Sequence, residues 1–359
     1  MRIGHLDGLR GIAIIWVILF HSYSRWPEHL NFVSVTQEVS LFQYGFLGVQ
    51  LFFMISGFVI FMTLDKSQNF IQFIKKRWLR LFPAMLIATI LIYSTSFIFF
   101  ERPSGIPSLI NTLPGLMFTS PELIDFFTGR HISSLEGAFW SLYVEVIFYI
   151  LIGAIYFSLG RKYCIPALFI AFLTFFLSFA LSKLGLSSPY KLISALGFDH
   201  YAWFIVGCVV YEYMNNRKSL GMYLIAITSV ILASAKALYS YNMDLILIAF
   251  YLGVLVLFIS SFYIYKIQQL LASKLLLLVG FVSYPLYLIH ENILISSLIK
   301  LEELQLHQNI ILIMPLIISA ILIALAYLIA KELEPRLRKS IEKILNSSLD
   351  ISQVNKVKK

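Results

Sequence analysis

Ten apolar stretches follow one another along this chain, at about residues 8–24, 44–64, 80–100, 139–159, 163–183, 198–214, 220–237, 243–263, 275–298 and 309–331. Each is read as long enough to cross the roughly 30 Å of hydrocarbon in a bilayer, the sixth being the shortest. Inside lipid no water satisfies a free backbone N–H or C=O, so each run must close its hydrogen bonds within itself, as a helix. The chain is thereby confined to an all-α polytopic membrane bundle. Composition agrees: 13% of residues are charged and 59% are hydrophobic, where a soluble domain carries about twice that charge. Thirty-one Phe and twenty Tyr add an aromatic load suited to bilayer interfaces.

The basic residues orient the bundle. Twenty of the 28 Lys and Arg fall on one side, in Arg2, in short turns such as Lys66 to Arg80, and in the C-terminal tail. Seven fall on the other side, and Arg10 lies inside the first run. Such a bias marks the cytoplasmic face and predicts both termini there. The net charge of +9 is then a topology signal and not a nucleic-acid footprint, because the bases sit in turns and tail. Cys164 and Cys208 lie in or beside separate apolar runs with no metal-ligand spacing and read as small buried hydrophobes. The first run contains Arg10 and lacks a small-residue cleavage site, so it is expected to stay as the first span. Two regions follow: a transmembrane domain over 1–331 and a charged, amphipathic cytoplasmic tail over 332–359. Within the first, the long outer connection 101–138 carries Pro103, Pro107, Pro114 and Pro121 among apolar patches, and is expected to cover the bundle or dip into it.

Polar groups inside apolar helices cost several kcal/mol and mark function by default. In the first run Arg10 and His21 are eleven residues apart, which puts them on one stripe about 16 Å apart. Arg10 can also be read as snorkelling to a headgroup, with His21 capping the far end. Arg77 and Arg80, three apart, form a one-sided fork. They serve either as a positive-inside signal or as a phosphate clamp. In the fourth run Ser141, Glu145, Phe148 and Tyr149 share a face, and a carboxylate that deep must be paired or protonated. The ninth run sets Ser283, Tyr287 and His290 on one stripe, with Tyr284, Tyr287 and Glu291 on an overlapping one and Pro285 as a kink. In the second run Gly45, Gly48, Ser56 and Gly57 read as close-packing positions, while Gln50 needs a partner.

Taken together these segments resemble acyltransferase family 3, the bacterial membrane-bound acyltransferases of the O-antigen acetylase type. The resemblance rests on LDGLRGIAIIWVILFH with Arg10 and His21, FFMISGF at 52–58, Arg77 with Arg80, Trp140 through Tyr149, and Ser283, Tyr284, Tyr287, Leu288 and His290. The five motifs occur in order over nearly the whole membrane region. Gln50 departs from the acidic residue of many relatives, and no segment resembling their extra C-terminal hydrolase-like domain is visible.

The resemblance implies an O-acyltransferase of the bacterial inner membrane, taking acetyl-CoA from the cytoplasm. Its phosphates would be held by Arg10, Arg77 and Arg80. Its thioester would reach towards His21, which acts as general base oriented by Glu145 or carries the acyl group for a moment. Trp140, Ser141, Ser283, Tyr284, Tyr287 and His290 would line the acceptor pocket. There a hydroxyl of a surface glycan or lipid-linked saccharide, from O-antigen or capsule, would approach. No metal is called for. A transporter with a proton relay through His21, Glu145 and His290 is the alternative of another class, and a lipid-binding scaffold is a third.

Overall fold

The computed structural model describes residues 4–357, with side chains described as far as residue 345. Of the basic residues tallied above, Arg2, Lys358 and Lys359 lie outside the described residues, as does the side chain of Lys356. Among the described residues every regular element is helical. The main ones in chain order, with shorter helices and turns between, are α1 (Gly4–Tyr23), α2 (Gly48–Leu64), α3 (Phe70–Thr95), α4 (Pro121–Thr128), α5 (Trp140–Ser158), α6 (Cys164–Lys183) and α7 (Tyr190–Ala195). Then come α8 (Tyr201–Met214), α9 (Leu220–Ser240), α10 (Leu245–Ser260), α11 (Lys274–Glu302), α12 (Gln308–Leu328) and α13 (Glu334–Val357).

All ten apolar runs are helical, yet among the described residues eight helices meet the length and apolarity of a full span. A ninth is reached by joining α10 to the short helix Tyr265–Leu271, bent 99° from it. With 14 residues, α8 extends only about 21 Å. Length and apolarity thus support eight or nine of the ten expected spans, because a run of apolar letters counts residues that the chain spends in turns. Phe198 to His200, for instance, form a separate 3₁₀ turn ahead of α8.

At the centre stand α1, α2 and α11. Of the apolar window in Ser40–Leu64, 83% is buried, against 17% for α9, which faces outward. Glycines set the closeness of that centre. A Cβ on Gly280 would lie 1.8 Å from the Asp7 carbonyl oxygen, so α11 and α1 touch through backbone. Gly57 of α2 and Gly207 of α8 play the same part for each other's helix, with Cβ positions 2.2 Å from Phe204 O and 2.0 Å from Met54 O.

α3 begins earlier than its apolar run suggests. The Asn69 side chain caps it by accepting from Gln72 N at 2.9 Å, so Arg77 and Arg80 sit two turns inside a helix that continues unbroken through Pro83. At the basic face Arg161 pairs with Asp65 and, at 2.5 Å, with Glu212. Tyr156 and Tyr211 donate to the same Asp65 at 2.9 and 3.0 Å. This ties the end of α2 to α5 and α8. On the opposite face the 101–138 connection folds back onto the helix ends, burying Leu135 and Glu136. Cys164 and Cys208 are buried free thiols.

Candidate active site

Two cavities lie end to end along the central helices. The first, of about 770 Å³, opens among Arg10, Arg77 and Arg80 and runs past Glu145 to Ser141 and Tyr287. The second, of about 580 Å³, is lined by His21, Arg25, Trp140, Gly137, Tyr287 and Glu291. Tyr287 is the wall that they share. Its hydroxyl donates to Ala138 O at 2.9 Å and lies 2.8 Å from Ser141 Oγ. Having spent its single proton on the carbonyl, it must accept from the serine.

In the arginine cavity three guanidinium groups from two helices converge. Arg10 donates to Asp7 at 2.7 Å one turn back on α1, and Arg77 donates to Thr63 Oγ1 at 2.5 Å. Arg80 lies 3.4 Å from Glu334 of α13 and sits over the Tyr284 ring at 5.5 Å. None is fully neutralised by a bidentate carboxylate, and the buried Nε of Arg77 has no hydrogen-bond partner among the described residues. Guanidinium forks with spare donors suit a phosphate-bearing ligand. Deeper in, Glu145 Oε1 accepts from Ser56 and from Tyr149, both at 2.5 Å.

In the histidine cavity His21 Nδ1 faces Glu291 Oε1 at 3.5 Å. That is long for a hydrogen bond but close for a charge interaction. Nδ1 is fully buried, which leaves Nε2 as the nitrogen available to the cavity. Glu291 is fixed from behind, because its other oxygen accepts from Ala138 N at 2.5 Å. A Cβ on residue 137 would fall 2.8 Å from that oxygen, so only glycine lets the carboxylate sit against this turn. His290 stands behind His21 with ring centroids 4.9 Å apart. Its Nδ1 is 2.8 Å from Tyr287 O; a carbonyl only accepts, so Nδ1 carries the proton.

A second row of polar groups supports Glu291. Asn292 donates to Glu136 through its backbone N at 3.1 Å and its side chain at 2.5 Å. Arg102 donates to Leu135 O at 2.6 Å and lies 4.0 Å from Glu136. Burial, with the nearby Glu291 charge as the second cause, pushes the Glu136 carboxyl up to about 8, against the opposing pull of Arg102.

The structure brings Arg10, Arg77 and Arg80 together, and it places His21 on the other side of Tyr287. Three expectations are corrected. Glu145 does not orient His21; it lies in the arginine cavity, held by Ser56 and Tyr149, and Glu291 has the place against the imidazole. Ser283 and Tyr284 line the arginine cavity and not the outer pocket, Tyr284 donating to Leu81 O at 2.9 Å. His290 lines neither cavity and is wholly buried. Trp140 and Tyr287 do line the histidine cavity, and Ser141 stands at the junction. Gln50 is buried with its Oε1 unpartnered among the described residues. The residues that sequence reading gave no role are Glu291, Asn292, Glu136 and Arg102. The signal for Glu291 and Asn292 was the run His290-Glu291-Asn292, three consecutive polar residues inside an apolar span; Glu136 and Arg102, in the long connection, carried none.

The family model described as an acyltransferase domain matches residues 3–330. The O-acetyltransferase OatA of Staphylococcus aureus is 29% identical over 158 residues, 41% of this chain and 23% of that protein. The peptidoglycan O-acetyltransferase OatA of Listeria monocytogenes is 28% identical over 164 residues, again 41% and 23%. The O-acetyl transferase of Shigella phage Sf6 is 27% identical over 157 residues, 41% of this chain and 44% of that one. The match thus spans under half of each of these relatives. No solved structure matches.

Proposed function

Since the chain belongs to acyltransferase family 3, we propose that it is a multi-pass membrane O-acetyltransferase moving an acetyl group from acetyl-CoA to a hydroxyl of a cell-surface glycan or its lipid-linked precursor. The observation that carries the reading is the pair of collinear cavities. One gathers three guanidinium groups at its mouth, the other holds a carboxylate-backed imidazole, and a single tyrosine stands between them.

The donor's phosphates sit among Arg10, Arg77 and Arg80, where charge-assisted hydrogen bonds hold them. The acyl end extends along the cavity towards Tyr287, so that its thioester meets the histidine cavity at the Ser141–Tyr287 junction. The acceptor hydroxyl enters from the other side, past Trp140. His21 Nε2 takes the hydroxyl proton as the oxygen attacks the thioester carbon. The carbon–sulfur bond breaks, and the coenzyme thiolate leaves and regains a proton. Glu291 holds the imidazole by its Nδ1 side and stabilises the imidazolium that forms, the part a carboxylate plays behind a catalytic histidine.

The excess of bases at the arginine end supports reading that end as the cytoplasmic face, with the bacterial inner membrane as the proposed location. With α8 and α10 counted as short spans, ten helices return both termini to that side. A proton relay through His21, Glu145 and His290 gains no support from the placement, since Glu145 lies beyond Tyr287 from the two histidines.

The test is thiol release from acetyl-CoA by membranes containing the protein, with mass spectrometry of the glycan for an added acetyl group. His21→Ala should lower both by about 10²–10⁴-fold, the usual worth of a general base, at unchanged expression. Acetylation that survives that substitution removes His21 from the reaction.

A further inference from the structure

A third cavity opens on the far face, between the connection helix α4 and the segment from α7 to the start of α8. Its interior comes to about 520 Å³, within the about 300–1,000 Å³ of small-molecule pockets. Trp140 is the partition between it and the histidine cavity, since its indole lines both. That ring is 40% exposed and packs on His200 at 4.8 Å between centroids.

Aromatic and acidic groups alternate around the rest of the groove. Phe126 is exposed on α4, and Tyr190 lines the opposite wall. Glu122 and Asp125 project from α4, with Asp125 3.3 Å from the exposed His131. Asp199 is already paired with Lys236, and Lys191 adds the one cation among the lining residues. Carboxylates accept hydrogen bonds and repel anions. Aromatic faces bury the C–H faces of a ring that presents hydroxyls at its edge.

We propose that this groove binds a neutral oligosaccharide segment, the sugar units flanking the one whose hydroxyl reaches His21, with Trp140 as the stacking platform where the chain turns inward. The inference rests on the acetyl-transfer reading for what the ligand is, while the groove itself is independent of it. The continuity of the groove past Trp140 into the histidine cavity selects a chain over a single sugar, and Glu122 with Asp125, which outnumber Lys191, select an uncharged chain over an acidic one.

The experiment is equilibrium binding of defined oligosaccharides to the purified full chain in detergent, alongside thiol release from acetyl-CoA. The probes are maltohexaose and the hexamer of N-acetylglucosamine, each with its monosaccharide, and a hexamer of galacturonic acid. At least one neutral hexamer should bind at least about tenfold more tightly than its monosaccharide and than the acidic hexamer, a difference of about 1.4 kcal/mol in total. Asp125→Asn and Phe126→Ala, both at the protein surface, should each weaken that hexamer and leave the monosaccharide unchanged. Equal binding of the acidic hexamer, or no binding of either neutral hexamer, or hexamer binding indifferent to both substitutions, overturns the proposal. Hexamer binding with the expected losses but no thiol release in any condition would uphold the groove and instead overturn acetyl transfer.

Discussion

Replacing Glu291 by Gln tests the geometry of the histidine cavity at its most specific point. The substitution keeps shape and leaves an oxygen to accept from Ala138 N, which now bonds at 2.5 Å, so the turn at Gly137 stays in place. Only the charge 3.5 Å from His21 Nδ1 is removed. As His21 takes a proton in the transition state, that charge stabilises it by about 1 kcal/mol if the site behaves like water and about 5 kcal/mol at an effective dielectric of 20. Each 1.36 kcal/mol is tenfold in rate, so kcat for thiol release should fall by between about 5-fold and about 5 × 10³-fold, towards the upper figure because both side chains are buried. The assay is free-thiol appearance from acetyl-CoA in membranes, normalised to protein. A double variant with His21→Ala should be no slower than His21→Ala alone, since the two groups act as one unit. If Glu291→Gln keeps more than half the parent rate, the carboxylate does not support the base and the role given to it is wrong.

Further predictions follow from the surrounding packing and charge. Removing Arg77 and Arg80 together by Ala should raise KM for acetyl-CoA at least about tenfold, as each charge-assisted phosphate contact is worth about 1.5–3 kcal/mol; an unchanged KM returns the pair to a topology signal. Gly137→Ala should slow thiol release by displacing Glu291, whose oxygens lie 2.8 and 3.0 Å from the new methyl, and a full rate would show that the turn can yield. Gly207→Ala puts a carbon 2.0 Å from Met54 O and should lower thermal stability in detergent by about 1–3 kcal/mol, the cost of overpacking. Glu136, held at about 8 by burial, keeps its proton in the fold while the unfolded chain releases it near the ordinary 4.5. Stability should therefore fall as pH rises from about 4.5 to 8. Glu136→Gln should flatten that fall in Tm, and an unaltered pH profile would remove Glu136 as its source.

Counting along one helix fixed which side its residues face, but neither their depth nor their partners on other helices. Arg10 and His21 share α1, and Arg77 and Arg80 share α3, so the 3.6-residue period fixed which side each pair faces. The pairing of His21 with Glu145 needed a comparison of depth between two helices, and sequence carries no such ruler. Nor does a shared stripe mean a shared pocket. Ser283 and His290 are seven residues apart, about 10 Å along the axis, which is enough to put Ser283 in one cavity and His290 behind the other.

What the chain's letters determined alone is a bundle of membrane helices with cations at one face and an imidazole near the other. Lipid leaves the backbone no second way to satisfy itself, so hydropathy becomes architecture directly. Which carboxylate meets that imidazole, where Tyr287 divides the interior, and how the 101–138 connection walls the outer groove were decided by tertiary contact. Those outcomes depend on how closely glycines such as Gly57, Gly207 and Gly280 let whole helices approach, and a few ångströms of sliding there would exchange one partner for another.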